Sequence, residues 1–315
     1  MSRIRVFAPA TVSNVGPGFD VLGFAIERPG DTVDAELTDQ AGVQLVEVTG
    51  DDGRLPRGAG ENSAGVAANA VLARVAVGSR VPGIRLWLHK GLPLASGLGS
   101  SGASAAAAAV ATNILLGRPL SPHDEIACAM EGERAASGSA HADNVAPSVL
   151  GGFVLIRSYD PLDIVALPVP DGLFVSVVHP HCEISTAQAR ALLQQQRFLL
   201  PDIVANAGNL AALVAAIYQQ DLALLGRSIV DRLVEPVRAA LIPGFEAVRL
   251  AARAHGALGC SISGSGPTVF AFSDTAGVAA RVAQAMRAAF RATAALGTDA
   301  WTGPISINGA RVVNS

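Results

Sequence analysis

The chain has 315 residues, half of them apolar and 16% charged, with a formal net charge of −3. That length allows two units with separate cores, and the absence of a basic tract argues against a nucleic-acid partner. The apolar excess is mostly alanine, and the longest apolar run, Ala103 to Leu116, is short and interrupted by Ser104, Thr112 and Asn113, so no membrane partner is expected.

Cys128, Cys182 and Cys260 stand apart without C-x-x-C spacing. This argues against a disulfide scaffold or a zinc site and suits a reducing compartment. The first residues, Met-Ser-Arg-Ile-Arg-Val-Phe, alternate like a strand and lack a leader pattern, so a cytoplasmic protein is expected.

Arg3 to Ala8 reads as a strand that Pro9 ends. Residues 10–20 are too rich in Gly, Pro and Asn for a regular element and too apolar for a solvated linker, so they are expected to pack against something. Val21–Ile26, Val33–Leu37 and Val43–Val48 read as strands, and Asp51 to Gly60 as a surface loop. Glu61-Asn62-Ser63 opens a helix to about Val77. A strand over Ile84–Lys90 leads through a glycine-rich loop into an alanine helix over 101–116, stopped by Gly117-Arg118-Pro119. Ser121-Pro122 starts the next helix, with serine as cap and proline at the first helical position; it runs to about Ala136. Ser137 to Pro147 reads as a second loop of glycine and polar residues, followed by a strand, Phe153–Arg157. A new pattern begins there and divides the chain into units 1–153 and 154–315.

In the second unit, Leu173–Val178, Ala257–Ser263 and Thr268–Phe272 read as strands, Thr275 to Ala292 as a helix, and Ile305–Val312 as a last strand. With the helices between 200 and 240 set aside as insertions, the order is β-α-β-β-α-β, the ferredoxin-like arrangement of an α+β fold. The turn between its middle strands, Ser263-Gly-Ser-Gly-Pro-Thr268, is a third Gly/Ser-rich loop.

The segment Pro93-Leu-Ala-Ser-Gly-Leu-Gly-Ser-Ser-Gly-Ala-Ser104 carries the strongest chemical signal. Gly97, Gly99 and Gly102 let backbone N–H groups turn inward and approach a ligand closely. The following helix start leaves N–H groups unpaired and favours an anion. Ser100 and Ser101 add hydroxyls for a cap or a metal ion. This describes a phosphate cradle; the plainer reading is a serine capping a buried helix. Gly97-x-Gly99-x-x-Gly102 formally matches a dinucleotide fingerprint, but Gly91 to Ser96 separate it from its strand, and Asp124 and Glu125 sit at a helix start instead of a strand end. No Gly-Lys-Ser/Thr follows the glycines, and no His-Arg-Asp or Asp-Phe-Gly segment is present, which excludes the Walker and protein-kinase loops.

Three segments together resemble the GHMP family of small-molecule kinases: Ala8 to Asp20, Pro93 to Ser104, and Ile262 to Thr268. Further stretches resemble the homoserine-phosphorylating branch of that family: Ser13-Asn14 with Gly18-Phe-Asp-Val-Leu-Gly23, Ser137-Gly-x-x-His-Ala-Asp-Asn-Val-Ala-Pro147, Ile184-Ser-Thr-Ala-x-Ala-Arg190, and Glu235-Pro-x-Arg238 with Ile242-Pro-Gly-Phe245. The resemblance extends from near residue 5 to the C-terminus. It implies a GHMP kinase fold, with an N-terminal α/β domain (ribosomal-protein-like βαβ) and a C-terminal ferredoxin-like domain. It also implies ATP-dependent phosphorylation of the L-homoserine hydroxyl to O-phospho-L-homoserine, for threonine biosynthesis, with Mg²⁺. The sequence does not read out the oligomeric state; a homodimer is one assembly it allows. Another alcohol acceptor within the family, or an idle nucleotide-binding regulator, are the competing readings.

The residue types suit an amino-acid alcohol. Arg190 and Arg238 offer forks for a carboxylate, Asp20 and Asp143 offer acceptors for an ammonium, and Asn14 and Asn144 can bond the hydroxyl or hold the acids. Each such residue alone is ordinarily a solvated surface group; here they lie in apolar, glycine-rich loops. By resemblance, Asn14, Asp143 and Asn144 are the catalytic set, with the Asp-Asn pair positioning substrate and an aspartate base as the alternative. Thr186 supports Arg190 or caps a helix. Glu133 is the implied Mg²⁺ ligand together with Ser101, and the residues alone do not separate Ser101 from Ser100. ATP is assigned to Pro93, Leu94, Ala95 and Ser96 at the loop entry, Gly97, Leu98, Gly99, Ser100 and Ser101 at its turn, and Gly102 and Ala103 in the helix. Asn62 and Lys90 add further nucleotide contacts, although Asn62 can equally cap its helix. Gly264, Ser265 and Gly266 support the phosphate loop.

Overall fold

In the computed structural model, which describes residues 3–75 and 82–313, the alternating N-terminal segment forms β1 (Ile4–Ser13). It runs through Pro9 instead of ending there. The register against the next strand shifts between Pro9 and Thr11, and such a bulge accommodates a residue that has no N–H for the ladder. The two strands expected at 21–26 and 33–37 are one, β2 (Leu22–Thr38). Pro29 and Gly30 fall where this strand changes neighbour. Then follow β3 (Val43–Thr49), α1 (Ser63–Val75), β4 (Gly83–His89), α2 (Ser100–Leu115), α3 (Pro122–Ser137), α4 (Ala142–Leu150), β5 (Phe153–Tyr159) and β6 (Leu162–Leu167). The expected end of α1 at Val77 lies outside the described residues.

These strands make one sheet. β2 pairs with β5 through Leu22–Phe24 and with β4 through Thr32–Thr38, while β3 lies parallel to β4 at the edge. The sheet therefore continues past residue 153 to Leu167. Helix α2 lies on β1 and β2 beneath α1 and α3. Every residue from Gly102 to Asn113 is buried. A helix enclosed on all sides is apolar all round, and alanine lets its neighbours approach closely, which accounts for the alanine run.

The expected loop at 137–147 is corrected by α4. Gly138, at φ 77°, closes α3, and the chain turns helical again four residues later. Pro147 lies inside this helix and supplies no N–H to the Asp143 carbonyl. That carbonyl packs instead against Gly23, where a β-carbon would fall 1.9 Å from it.

The second sheet contains β7 (Phe174–Pro180), then, after α5 (Thr186–Gln194), α6 (Leu200–Gln219), α7 (Leu222–Ser228), α8 (Glu235–Arg238) and α9 (Phe245–Ala254), strands β8 (Gly259–Ile262) and β9 (Val269–Ser273). Helix α10 (Ala276–Ala294) leads to β10 (Thr298–Pro304). The order β10-β7-β9-β8 is antiparallel throughout, the ferredoxin-like arrangement. The last strand of this sheet is thus 298–304, not 305–312. Its polar, half-exposed residues hid it, and after Pro304 the chain returns to the first sheet: Ile305 bridges Ile26, and β11 (Arg311–Val312) pairs with β1.

Helix α6 also exceeds the Ala103–Leu116 run: by length and composition alone it is long and apolar enough to cross a membrane. Polar side chains tie it to the fold. Asn206 donates to the Pro17 carbonyl (3.1 Å) and accepts from the Arg232 N–H, and Asn209 donates to the Val230 carbonyl.

The two sheets share one core. Phe24 on β2 and Phe153 on β5 meet Phe270 and Phe272 on β9, with ring centroids 5.0–6.2 Å apart. All four rings are fully buried.

Candidate active site

Between the units lies a cleft of about 550 Å³, lined from both. Three loops form its floor. The glycine loop has Ala95, Gly97 and Gly99 at positive φ, and Gly99 precedes α2 with no side chain capping the helix. The N–H groups at that helix start are therefore available to an anion. The loop is pressed against the other two. The Thr11 N–H donates to the Leu98 carbonyl (3.1 Å), the Ser263 hydroxyl to the Gly97 carbonyl (2.7 Å), and the Thr268 N–H to the Ser96 carbonyl (3.2 Å). A β-carbon on Gly99 would lie 2.2 Å from the Thr11 hydroxyl and 2.8 Å from Asn144 Oδ1. Glycine is required here by both backbone conformation and space.

The first loop, residues 14–20, is wound tightly, with Asn14, Val15 and Asp20 all left-handed. Asn14 holds its shape, accepting from the Asp20 N–H (3.0 Å) and donating to the Gly264 carbonyl (2.8 Å). Residues 10–20 thus pack against the Ser263–Thr268 turn, as expected of them. Arg238, 3% exposed, donates to the same Gly264 carbonyl (2.8 Å). Burial lowers its pKa to about 10, against the opposing pull of Asp20. It is delivered by α8, whose start is capped by the buried Asp231 carboxylate accepting from the N–H groups of Leu233, Val234 and Glu235.

A polar chain crosses the cleft. The Ser101 hydroxyl donates to Glu133 Oε2, Glu133 Oε1 meets His141 Nδ1 at 3.0 Å, His141 Nε2 accepts from Arg190 at 3.0 Å, and Arg190 forms a forked pair with Asp20 at 3.0 Å. Burial opposes charge on His141, but the Glu133 carboxylate outweighs it and raises the pKa. Asp143 on α4 is 1% exposed. Burial, reinforced by the nearby Asp20, pushes its carboxyl up to about 7. On the next residue, Asn144 Oδ1 accepts from the Thr11 hydroxyl (3.0 Å), which leaves its NH₂ group for the cleft.

Of the expected residues, Asn14, Asp20, Glu133, Asp143, Asn144, Thr186, Arg190 and Arg238 all line this one cleft, as do Leu94 to Gly97, Gly99 to Ser101, Gly264 and Ser265. Pro93, Leu98, Gly102, Ala103 and Gly266 do not; Leu98 and Ala103 are fully buried in the core. Asn62 lines the cleft while fixing the start of α1, accepting from the Ala64 N–H and donating to the Pro56 carbonyl. Lys90 also borders it, but its ammonium is held inside the protein by Asp31, the Ser100 carbonyl (2.9 Å) and the Ser104 hydroxyl (2.9 Å). Ser185, not Thr186, caps α5, and Thr186 faces the Ser265 hydroxyl at 3.3 Å.

Sequence reasoning missed His141 as a site residue, although it lies inside a stretch singled out for resemblance; its link to Glu133 spans eight residues and two helices. It also missed Thr11, and Arg54, which pairs with Glu183 across the cleft rim.

Six buried side-chain polar atoms have no partner among the described residues, and four of them belong to cleft residues: Ser100 Oγ, Asp143 Oδ1, Arg190 Nε and Arg238 Nε. Buried polar groups are ordinarily satisfied, so this clustering sets the cleft residues apart from the rest of the fold. The donor set also fits a magnesium ion. One carboxylate, Glu133, stands beside one hydroxyl, Ser101, at a helix start, and such an ion takes few protein ligands with phosphate oxygens and water completing the shell.

Comparison with known proteins gives one family. The family model for the GHMP kinases N terminal domain matches residues 62–152, and that for the GHMP kinases C terminal matches 213–292. The chain is 49% identical to the homoserine kinase of Chlorobium phaeovibrioides, covering 99% of this chain and 100% of the relative. It is 41% identical to that of Xylella fastidiosa, covering 99% and 94%. The crystal structure of homoserine kinase from Cytophaga hutchinsonii superimposes with a TM-score of 0.95 at 48% identity, over 99% of this chain and 98% of the other. A mevalonate kinase from L. major shares the fold at 16% identity and a TM-score of 0.72. With the glycine loop, the cleft between the two units and these full-length matches in agreement, the chain belongs to the GHMP kinase family, in its homoserine kinase branch.

Proposed function

We propose that the cleft transfers the γ-phosphoryl group of ATP to the hydroxyl of L-homoserine. The observation that carries this reading is the set of side chains that line one cavity: the Arg190 and Arg238 guanidiniums, the Asp20 and Asp143 carboxylates and the Asn144 amide. An amino-acid alcohol presents a carboxylate, an ammonium and a hydroxyl, which are the complements of that set. A sugar or a hydroxy acid without an ammonium would leave Asp143 buried and unpaired.

In this reading the triphosphate lies along the backbone of Gly97 to Ser101 and the start of α2. Glu133 and Ser101 would hold the Mg²⁺, which would supply neutralisation of phosphate charge. Lys90 acts from beneath, fixing the Ser100 carbonyl so that the helix start stays aimed at the phosphates. Arg238 and Arg190 hold the substrate carboxylate, and Asp20 and Asp143 its ammonium. Arg190 then exchanges part of its pairing with Asp20 for the incoming carboxylate. The Asn144 amide donates to the substrate hydroxyl oxygen and orients it. That oxygen attacks the γ-phosphorus in line, the bond to the β,γ-bridging oxygen breaks, and the hydroxyl proton passes late to an oxygen of the transferred phosphoryl group. A loose phosphoryl transition state demands positioning and charge neutralisation more than a strong base. A cytoplasmic location and a supply role in threonine synthesis accompany this reading.

The test is a coupled assay with ATP-Mg²⁺ and homoserine, mevalonate or galactose as acceptors. Turnover confined to homoserine is expected. Transfer to another alcohol in preference, or nucleotide binding with no transfer to any of the three, would overturn it.

A further inference from the structure

Asp20 and Asp143 come from segments far apart in sequence, and their carboxylates are close enough to influence each other. Like charges brought together in a buried site do not stay there unaided. The groups that hold them are visible on the backbone. Asp20 is left-handed at φ 59°, an unfavourable conformation for a residue with a side chain. Its N–H is tied to Asn14. Its carbonyl accepts a 2.6 Å hydrogen bond from the Tyr159 hydroxyl, at the end of β5. Asp143 lies in the first turn of α4, which has no side-chain cap of its own. The N–H groups of Asn144 and Val145 bond the His141 carbonyl. The Tyr159 phenol therefore fastens the Asp20 turn to the end of β5. Tyr159 does not line the cleft and touches no reactant.

We propose that Tyr159 is a positioning residue for the amino-alcohol site, holding the Asp20 turn, and with it the Asp20 carboxylate, in place from behind. Its hydroxyl, not its ring, performs this role. Without it, the Asp20 peptide relaxes from its left-handed turn, and its carboxylate no longer converges with that of Asp143 on one ammonium. The phosphate cradle is built from other loops and is left intact.

This rests on the homoserine reading and is tested with Tyr159→Phe, which removes only the oxygen. The expected result is a rise of about tenfold in KM for homoserine, the size of one lost hydrogen bond. The KM for ATP and kcat should stay within about twofold. Unchanged KM for homoserine, or equal losses for both substrates, would overturn the proposal. If the variant fails to fold, the unsubstituted protein labelled with 3-fluorotyrosine serves instead, because Tyr159 and Tyr218 are its only two tyrosines and Tyr218→Phe assigns the signals. The Tyr159 fluorine resonance should move on adding homoserine and stay on adding a non-hydrolysable ATP analogue; the reverse pattern, or no movement, counts against it. Homoserine turnover by the unsubstituted protein is measured alongside. Its absence would count against the function itself, whereas normal turnover with an indifferent Tyr159 counts against this residue alone.

Discussion

Gly97 and Ser263, 166 positions apart, are locked together across the cleft floor, the Ser263 hydroxyl donating to the Gly97 carbonyl at 2.7 Å. A β-carbon on Gly97 would fall 2.4 Å from the Ser263 carbonyl oxygen and 2.8 Å from that of Gly266. Both obstacles are backbone and neither can swing away. Gly97→Ala also places alanine at φ 80°, which costs about 1 kcal/mol by itself. A loop displaced by an ångström should lower kcat/KM for ATP about 10²-fold. Calorimetry with a non-hydrolysable analogue, beside the coupled assay, checks this. Normal ATP affinity would mean that the loop does not hold the nucleotide.

Glu133→Gln keeps the size of the side chain and removes its charge. The Mg²⁺ concentration for half-maximal activity should rise tenfold or more, and kcat should fall about 10²-fold at saturating nucleotide. A magnesium titration of both proteins reads this directly. An unaltered titration would remove Glu133 from the ion's shell.

Arg238→Ala deletes a buried guanidinium that is fixed at one end by the Gly264 carbonyl. A charged hydrogen bond to the substrate carboxylate is lost, so KM for homoserine should rise by about 10- to 10²-fold. Arg238→Lys should not restore it, because one ammonium cannot replace the fork. Equilibrium binding of ATP should persist in both variants. Loss of ATP binding in a folded Arg238→Ala protein would sink the carboxylate-clamp assignment.

Asp143 gives a dependence on pH. Burial raises its folded pKa to about 7 from the ordinary 3.8. Between those limits the native state holds a proton that the unfolded chain has released, so this residue's contribution to stability falls as pH rises from about 4 to about 7. Glu235, pushed by burial from 4.5 to about 7, acts in the same direction. Asp34 titrates lower, at about 2, and does not interfere. His179, whose burial lowers its pKa to about 4, opposes this trend over part of the window, so the check is the difference between proteins: the Tm of Asp143→Asn should fall less, or rise more, across pH 5–7 than that of the unsubstituted protein. Homoserine affinity should move the other way, improving as Asp143 ionises to meet the ammonium. In Asp143→Asn, a higher homoserine KM with kcat largely kept fits a positioning role; lost turnover at unchanged affinity would assign Asp143 as a base.

The cradle is legible in sequence because its demands are local: glycines where φ is positive, and a helix start directly after. The charged substrate residues are legible as types, since forks and carboxylates in apolar loops need a reason. What escapes is anything defined by distant pairing. Lys90 looks like a free cation beside a phosphate loop, yet its partner Asp31 is 59 positions away and both are buried. Segment 142–147 looks like a loop because its polar residues face a cleft that only the fold creates. β10 lacks an apolar face, so alternation does not reveal it, and only its pairing with β7 makes it a strand.

The four interlocked phenylalanines, Phe24, Phe153, Phe270 and Phe272, have a bearing on how substrates enter. Two bodies joined by a thin linker can swing open like a clam. Here the chain crosses between the sheets and returns, and the rings fill the seam with no sliding plane between them. The rim is looser: there the exposed Arg54–Glu183 pair can part at little cost, whereas the floor beneath it is tied by hydrogen bonds among all three loops.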